Sequence, residues 1–176
     1  QNVGAGSMNV AVVNPPFMKG RFSRTSRSPA VNKSGTLYWP FWLAYAVGSL
    51  ERAGHDVLFL DCPAAGTGEG ALLNELIEFG PQLVILDTST PSIYSDLRIA
   101  STVKKVMPES FVLLAGTHVS ALPGLCLRLA PSVDGVAAGE YDETVTCLAN
   151  TLDGGGDPAD VMGLVLNRGG LIEETG

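Results

Sequence analysis

Hydrophobic residues in this chain fall into short unbroken runs separated by longer stretches of helical period. MNVAVVNPP (Met8 to Pro16), VLFLD (Val57 to Asp61), LVILD (Leu83 to Asp87), FVLLAG (Phe111 to Gly116) and the centre of SVDGVAAG (Ser132 to Gly139) are apolar at consecutive positions rather than alternating ones. That is the pattern of parallel strands covered on both faces. Between them the apolar positions recur every three or four residues. The first helix is predicted to start with Pro40 at its first position, to bury Leu43, Ala46, Val47 and Leu50, and to end at Gly54. The second carries Leu72, Leu73, Leu76 and Ile77 as its stripe and closes at Gly80-Pro81, after the loop-like tract PAAGTGEG. In the third, Ser92 is placed to cap a helix burying Ile93, Leu97, Ala100 and Val103 as far as Met107-Pro108. A short helix is expected over about 123–129, and Glu140 is expected to open the last one, where an acidic side chain suits the positive helix end.

Alternation of this kind predicts an α/β fold: a doubly wound five-stranded parallel sheet, Rossmann-like or flavodoxin-like, in the order 2-1-3-4-5. The tract from Asp153 to Pro158 reads as a linker, and VMGLVLNRGGLIEETG reads as a C-terminal β-hairpin turning at Asn167-Arg168-Gly169-Gly170. The expected division is residues 1–7 as a leader left by cloning, with Met8 the natural start, 8–152 as the main domain, and 153–176 as linker and hairpin leading toward further chain. In the predicted order, the loops after the first, third, fourth and fifth strands converge on the carboxyl edge of the sheet, where ligands of such folds bind.

The first of those loops is unusual. Phe17 to Trp39 has no helical period, and loops of this length are uncommon in compact domains unless they are functional or disordered. It also concentrates charge. The whole chain has a formal net charge of -7, yet residues 1–50 contain no acidic residue and carry Lys19, Arg21, Arg24, Arg27 and Lys33. Overall acidity argues against general nucleic-acid binding, whereas a local basic loop suits one anionic ligand or a partner domain. The segment from Lys19 to Lys33 is expected to be mobile by itself and to order against such a partner.

Recognisable catalytic chemistry is sparse. There is no GxGxxG or GxxxxGK[ST] phosphate cradle and no GxSxG elbow. His55 and His118 are the only histidines, and His55, in AGHDV, occupies a structural position at a strand edge. Cys62, Cys126 and Cys147 are odd in number and lack metal-ligand spacing, which predicts reduced, unpaired thiols and a cytoplasmic setting. No run approaches the apolar length of a membrane span. No catalytic residue is assigned: the chain is better equipped to hold a ligand than to transform one.

Taken in order, MNVAVVNPPF, RTSRSPAV with YWPFWLAYA, AGHDVLFLD, PQLVILDTSTPSIYSD, LLAGTHVSALP and DGVAAGEYDETV resemble the N-terminal cobalamin-binding domain of cobalamin-dependent radical S-adenosylmethionine enzymes. The resemblance covers about residues 8–150, and VMGLVLNRGG resembles the bridge to the radical domain. It implies a corrin lying over the carboxyl ends of the strands, held base-off, with the nucleotide tail passing down between sheet and helices. It makes cofactor-binding candidates of Pro15, Phe17, Tyr38 and Trp39 in the first loop and of Thr88, Ser89, Thr90, Pro91 and Ser92 after the third strand. Gly116, Thr117 and His118 follow the fourth strand, and Gly139, Glu140 and Tyr141 the fifth. Trp39 suits a hydrophobic staple on the helix that follows equally well, and Ser92 a helix cap. A side chain at Gly116 is expected to block the tail channel while sparing the fold.

Two departures from the family's pattern are informative. No DxHxxG follows the first strand, so no histidine there serves as lower cobalt ligand; Phe17, Tyr38 or Trp39 could cover that face, and His118 is the one remaining imidazole. The CxxxCxxC motif of the radical domain is also absent. The resemblance therefore implies cobalamin as the cofactor of this chain, and a [4Fe-4S] cluster and S-adenosylmethionine in a C-terminal radical domain outside this sequence. The parent activity it implies is methyl transfer from methylcobalamin. Two other readings stay open on the residues alone: a non-catalytic cobalamin sensor, and a cofactor-free α/β interaction domain.

Overall fold

A computed structural model describes residues 7–18, 22–23, 30–31 and 37–176. Seven strands form one sheet in the order β4-β1-β5-β6-β7-β8-β9, comprising β1 (Asn9–Asn14), β4 (Asp56–Asp61), β5 (Leu83–Asp87), β6 (Phe111–Ala115), β7 (Gly135–Ala137), β8 (Leu164–Arg168) and β9 (Leu171–Glu174). The first five are parallel, which realises the predicted order. The C-terminal hairpin of β8 and β9 then extends the same sheet antiparallel to β7. Two further strands, β2 (Phe22–Ser23) and β3 (Ala30–Val31), pair antiparallel inside the long loop, where no regular structure was expected. Lys19, Arg21, Arg24, Arg27 and Lys33, and with them the expected mobility of that segment, lie outside the described residues.

The unbroken apolar runs arise because each strand packs on both faces. Ala11, Val13, Val84, Leu86, Val112, Leu114 and Val136 point into one layer, against α3 (Glu69–Phe79), α4 (Ile93–Val106) and α6 (Pro123–Leu129). Val10, Val12, Leu83, Ile85, Leu113, Ala115 and Ala137 point into the other, against α1 (Phe41–Ala53) and α7 (Asp142–Asp153). Two short helices, α2 (Cys62–Ala65) and α5 (Thr117–Ala121), follow β4 and β6 directly. Among the described residues no helix is long and apolar enough to cross a membrane.

Several boundaries differ from the sequence expectation. Pro40 caps α1 instead of opening it, while Gly54 ends the helix in the left-handed conformation as expected. In α3 only Leu72 and Leu76 are buried; Ile77 is 57% exposed because the helix presents a narrow stripe to the sheet. PAAGTGEG is partly helical, since Asp61 accepts from the Ala64 N–H and caps α2. Thr117 and His118 lie in a helical turn instead of a loop, and α7 begins at Asp142 behind Tyr141, two residues later than Glu140. Ser92 occupies the cap position of α4 but makes no side-chain cap bond, because its hydroxyl is drawn to Asp96.

Candidate functional site

Parallel strands with helical crossovers bring the carboxyl ends of β4, β1, β5, β6 and β7 to one edge of the sheet. β1 and β5 flank the point where the winding reverses, which opens a crevice there. Each strand end is tied to its neighbour by side chains. Asn14, at the end of β1, donates through Nδ2 to Asp61 Oδ1 at 2.8 Å and so joins β1 to β4. Pro15 then ends the ladder and is buried, and Phe17 packs edge-on against Phe22 with ring centroids 4.7 Å apart.

The loop after β5 is held from both sides. The Thr88 N–H and hydroxyl both donate to the Ala115 carbonyl, at 2.8 and 2.7 Å, which hooks the loop onto β6. On the helix side, Asp96 Oδ2 accepts from the Ser89 N–H at 3.2 Å and from the Ser92 hydroxyl at 2.6 Å. The Ser89 and Ser92 hydroxyl oxygens are 2.6 Å apart. Thr88, Ser89, Ser92 and Asp96 are all buried, while Thr90 and Pro91 are exposed. Thr90 Oγ1 lies 3.1 Å from His118 Nδ1, linking this loop to α5.

Gly116 has φ +113°, and a Cβ there would come within 2.4 Å of the Thr88 carbonyl oxygen and 2.9 Å of Asp87 Oδ1. The glycine therefore admits the neighbouring backbone, where the sequence reading had it leaving room for a ligand. Ser120 completes the cluster: its hydroxyl donates to the Gly116 carbonyl at 2.8 Å and accepts from the Gly139 N–H at 3.0 Å. Gly139 has φ +76° and open space around the position of a Cβ, and Glu140 beside it is exposed. Tyr141 is 7% exposed, and burial, then the charge of Asp87, then that of Asp142, push its phenol far above the usual tyrosine range.

On the opposite layer the start of α1 carries an aromatic ridge. Tyr38, Trp39, Phe41, Trp42 and Tyr45 are each more than half exposed. Trp39 leans on Phe59 at 6.1 Å, and the Tyr38 N–H donates to the Ser23 hydroxyl at 3.3 Å. A cleft of about 370 Å³ lies on the α3/α4 side between Phe17, Met18, Pro63, the Gly66–Glu69 segment and Ile99. It is bounded by the Arg98–Glu69 ion pair at 2.7 Å, which draws the Glu69 carboxyl below its usual value. A larger cleft of about 470 Å³, lined by Gln82, Lys104, Glu109 and Asp134, sits at the amino edge of the sheet, away from the converging loops. Location at the carboxyl edge, more than size, identifies the candidate site.

The sequence-predicted residues thus divide. Thr88, Ser89, Thr90, Ser92, Gly116, His118 and Gly139 are tied by hydrogen bonds within and between the loops after β5, β6 and β7, whereas Pro91, Thr117, Glu140 and Tyr141 only lie alongside; Phe17 borders the cleft on one layer and Tyr38 and Trp39 stand on the other. His55 is buried near the amino edge with Nε2 3.2 Å from Asn150 Oδ1, as its expected structural role requires. Sequence reasoning missed Asp96, Ser120 and the Asn14–Asp61 tie. Only Asp96 left a signal: it falls among Ile93, Leu97, Ala100 and Val103, a charge inside an apolar stripe.

Comparison with known proteins bears on this edge. A family model described as the B12 binding domain matches residues 27–149. The chain is 29% identical over 138 residues to an uncharacterized methyltransferase of Pyrococcus horikoshii, covering 78% of this chain and 30% of that protein. It is 30% identical over 122 residues to the anaerobic magnesium-protoporphyrin IX monomethyl ester cyclase of Rubrivivax gelatinosus, covering 69% of this chain and 22% of that one. It therefore spans less than a third of the length of either relative. In fold it is similar to the radical S-adenosylmethionine methyltransferase TsrM from Kitasatospora setae, solved with cobalamin and a [4Fe-4S] cluster bound. That TM-score is 0.76 at 19% identity, over 97% of this chain and 29% of that one. It is also similar to the cobalamin-dependent S-adenosylmethionine radical enzyme OxsB with aqua-cobalamin and S-adenosylmethionine bound, with a TM-score of 0.67 at 15% identity over 96% of this chain and 22% of that one. With the family model matching well over half of its length, and its doubly wound sheet shared with these structures, the chain belongs to the B12-binding domain family.

Proposed function

We propose that this chain binds cobalamin base-off along the carboxyl edge of its sheet, as the cofactor-holding part of a cobalamin-dependent radical S-adenosylmethionine methyltransferase. The observation that carries the reading is the match of the B12-binding family across residues 27–149, which takes in the hydrogen-bonded loops after β5, β6 and β7. The chemistry at that edge fits the cofactor. Exposed aromatic faces at Tyr38 and Trp39 suit a broad ring, and neutral hydroxyl and backbone groups at Thr88–Ser92, Gly116–His118 and Gly139–Tyr141 suit its amide fringe. Pro15 and Phe17 complete the set from β1. Cobalamin brings its own cobalt and asks for no cluster of metal-ligating side chains; none occurs among the described residues.

When bound, cobalamin supplies the methyl-transfer chemistry, and the protein supplies position and control of the axial face. His118 is the single imidazole at this edge among the described residues, with Nδ1 engaged by Thr90. With the nucleotide tail held by the protein and His118 kept on Thr90, the cofactor would be bound base-off and without a histidine ligand. The relatives named as a methyltransferase and a cyclase, and the TsrM and OxsB structures, support a radical domain carrying a [4Fe-4S] cluster and S-adenosylmethionine as the partner of this one. Three free thiols suit a reducing cytoplasm.

Reconstitution tests the reading. After incubation with hydroxocobalamin and desalting, the protein is expected to retain a corrinoid spectrum, and a colourless protein would refute it. Electron paramagnetic resonance of the cob(II)alamin form is expected to show no nitrogen superhyperfine splitting from the lower face. A nitrogen triplet that disappears in His118→Ala would instead make His118 the axial ligand.

A further inference from the structure

The hydroxyls that tie the carboxyl edge together, buried at Thr88, Ser89 and Ser92 and half-buried at Ser120, have already given their protons away. Thr88 donates to the Ala115 carbonyl and Ser120 to the Gly116 carbonyl, at 2.7 and 2.8 Å. The 2.6 Å contact between Ser89 and Ser92 could run in either direction by itself. Asp96 settles it. Ser92 has one hydroxyl proton and two acceptors for it: Asp96 Oδ2 at 2.6 Å and the Ser89 carbonyl at 3.4 Å. The shorter, charge-assisted bond takes the proton. Ser92 can then only accept from Ser89, so the Ser89 proton is also committed, and its oxygen keeps lone pairs alone.

The choice of a carboxylate for this position has a physical cost. Asp96 is fully buried, and a buried charge is unfavourable unless hydrogen bonds compensate it. Position four of α4 lies in the first turn, where the helix end favours an anion, and two donors reach the same oxygen. An asparagine could also clamp the loop, but its amide can present either a donor or an acceptor. A carboxylate is acceptor-only and leaves one direction for the relay.

We propose that Asp96 is a positioning residue that fixes the hydrogen-bond direction along Asp96, Ser92 and Ser89, so that the floor of the site reads a hydroxyl donor of the ligand's nucleotide moiety and not its phosphate. The inference rests on the cobalamin reading above and deepens it. Ser89 and Thr88 are only 1% and 3% exposed, so contact with them would require the loop to part by the width of a narrow group. The ribose has hydroxyl donors on such a group. The phosphodiester has no proton at neutral pH and meets only lone pairs there.

Spectrophotometric titration of the described protein with aquocobalamin, and with cobinamide as a corrinoid lacking the nucleotide, tests this. Ser92→Ala breaks the relay, Ser92→Thr preserves it, and Asp96→Ala removes its terminus. In Ser92→Ala and Asp96→Ala the cobalamin Kd is expected to rise about tenfold, the loss of one directed hydrogen bond, while the cobinamide Kd moves less than about twofold. Ser92→Thr is expected to keep the parent ratio of the two constants. Should Asp96→Ala not fold, Ser92→Ala decides. An unchanged ratio, whether both affinities hold or both fall together, would overturn the inference while leaving cobalamin binding intact. A parent protein that binds neither corrinoid would refute the cobalamin reading and this inference with it.

Discussion

At the scale of single residues, Gly116 and Tyr141 are constrained from inside the protein. The sequence suggested that a side chain at Gly116 would obstruct a ligand and spare the fold. The 2.4 Å approach of a Cβ to the Thr88 carbonyl places the obstruction in the protein itself, and φ +113° adds strain for any L side chain. Gly116→Val is therefore expected to lose about 3 kcal/mol or more of stability, with corrinoid retention falling because the loop is displaced. Urea unfolding monitored by circular dichroism checks this, and a midpoint and slope equal to the parent's would contradict it. Tyr141 gives a pH dependence. Because its folded-state ionisation is raised, the native protein holds the phenolic proton after the unfolded chain has released it, so the associated stability is complete below the usual tyrosine value and is lost as pH rises above about 10. Buried Cys126, whose thiol is pushed up by burial, adds a loss of the same sign that begins nearer pH 9. Between about pH 9.5 and 11 the urea midpoint of Tyr141→Phe is expected to fall less than the parent's; parallel curves would show that the phenol does not govern alkaline stability. Neither constraint was legible in the sequence, because both come from parts distant along the chain: Thr88 against Gly116, and the packing that buries Tyr141, with Asp87 adding to it.

At the scale of elements, strand identity was legible and loop detail was not. Runs such as LVILD and FVLLA are buried on both faces, as the strands of a covered parallel sheet are, so period and composition agreed with tertiary structure. Gly54 and Gly80 ended their helices as read, since a left-handed cap is a local property of the backbone. Ser92 failed as a predicted cap for the opposite reason: a hydroxyl chooses among partners, and the buried carboxylate four residues on outcompetes a backbone N–H. The hairpin shows the same dependence. Its turn at Gly169 and Gly170, both at positive φ, was readable, but the role of Asn167 was not. That side chain donates to the carbonyls of Pro131 and Val133, at 2.8 and 3.2 Å, and accepts from the Gly170 N–H at 2.9 Å, so it stitches the turn to the loop between α6 and β7. Asn167→Ala removes three bonds, two of them exposed to solvent, and is expected to cost about 2 kcal/mol in urea unfolding. A loss under about 0.5 kcal/mol would mean that water replaces all three.

At the scale of the molecule, the hairpin's hydrogen bonding to β7 makes it part of the sheet that presents the site. Its side chains enter both layers: Val165 packs with the α3, α4 and α6 layer, while Leu164 and Leu166, joined by Val161 just before them, pack with the α1 and α7 layer. All four are at most 4% exposed. β7 has only three residues, and β8 approaches it closely enough that a Cβ on Gly135 would lie 3.1 Å from the Val165 carbonyl. Removing the hairpin would leave β7 as a short, uncovered edge next to the Gly139–Tyr141 loop. Four buried aliphatic side chains contribute roughly 6–12 kcal/mol of burial, comparable with the roughly 5–15 kcal/mol net stability of a whole domain. A chain ending at Gly156 is therefore expected to lose cooperative unfolding altogether, with tryptophan fluorescence and far-ultraviolet circular dichroism changing gradually and without coincidence as urea is added. It is also expected to retain no corrinoid after desalting, because the loops after β6 and β7 would lose the strand that fixes them. A truncated chain that unfolds in one transition, with a midpoint within about 1 M urea of the parent's, would instead make the hairpin an appendage to a sheet that β7 completes by itself.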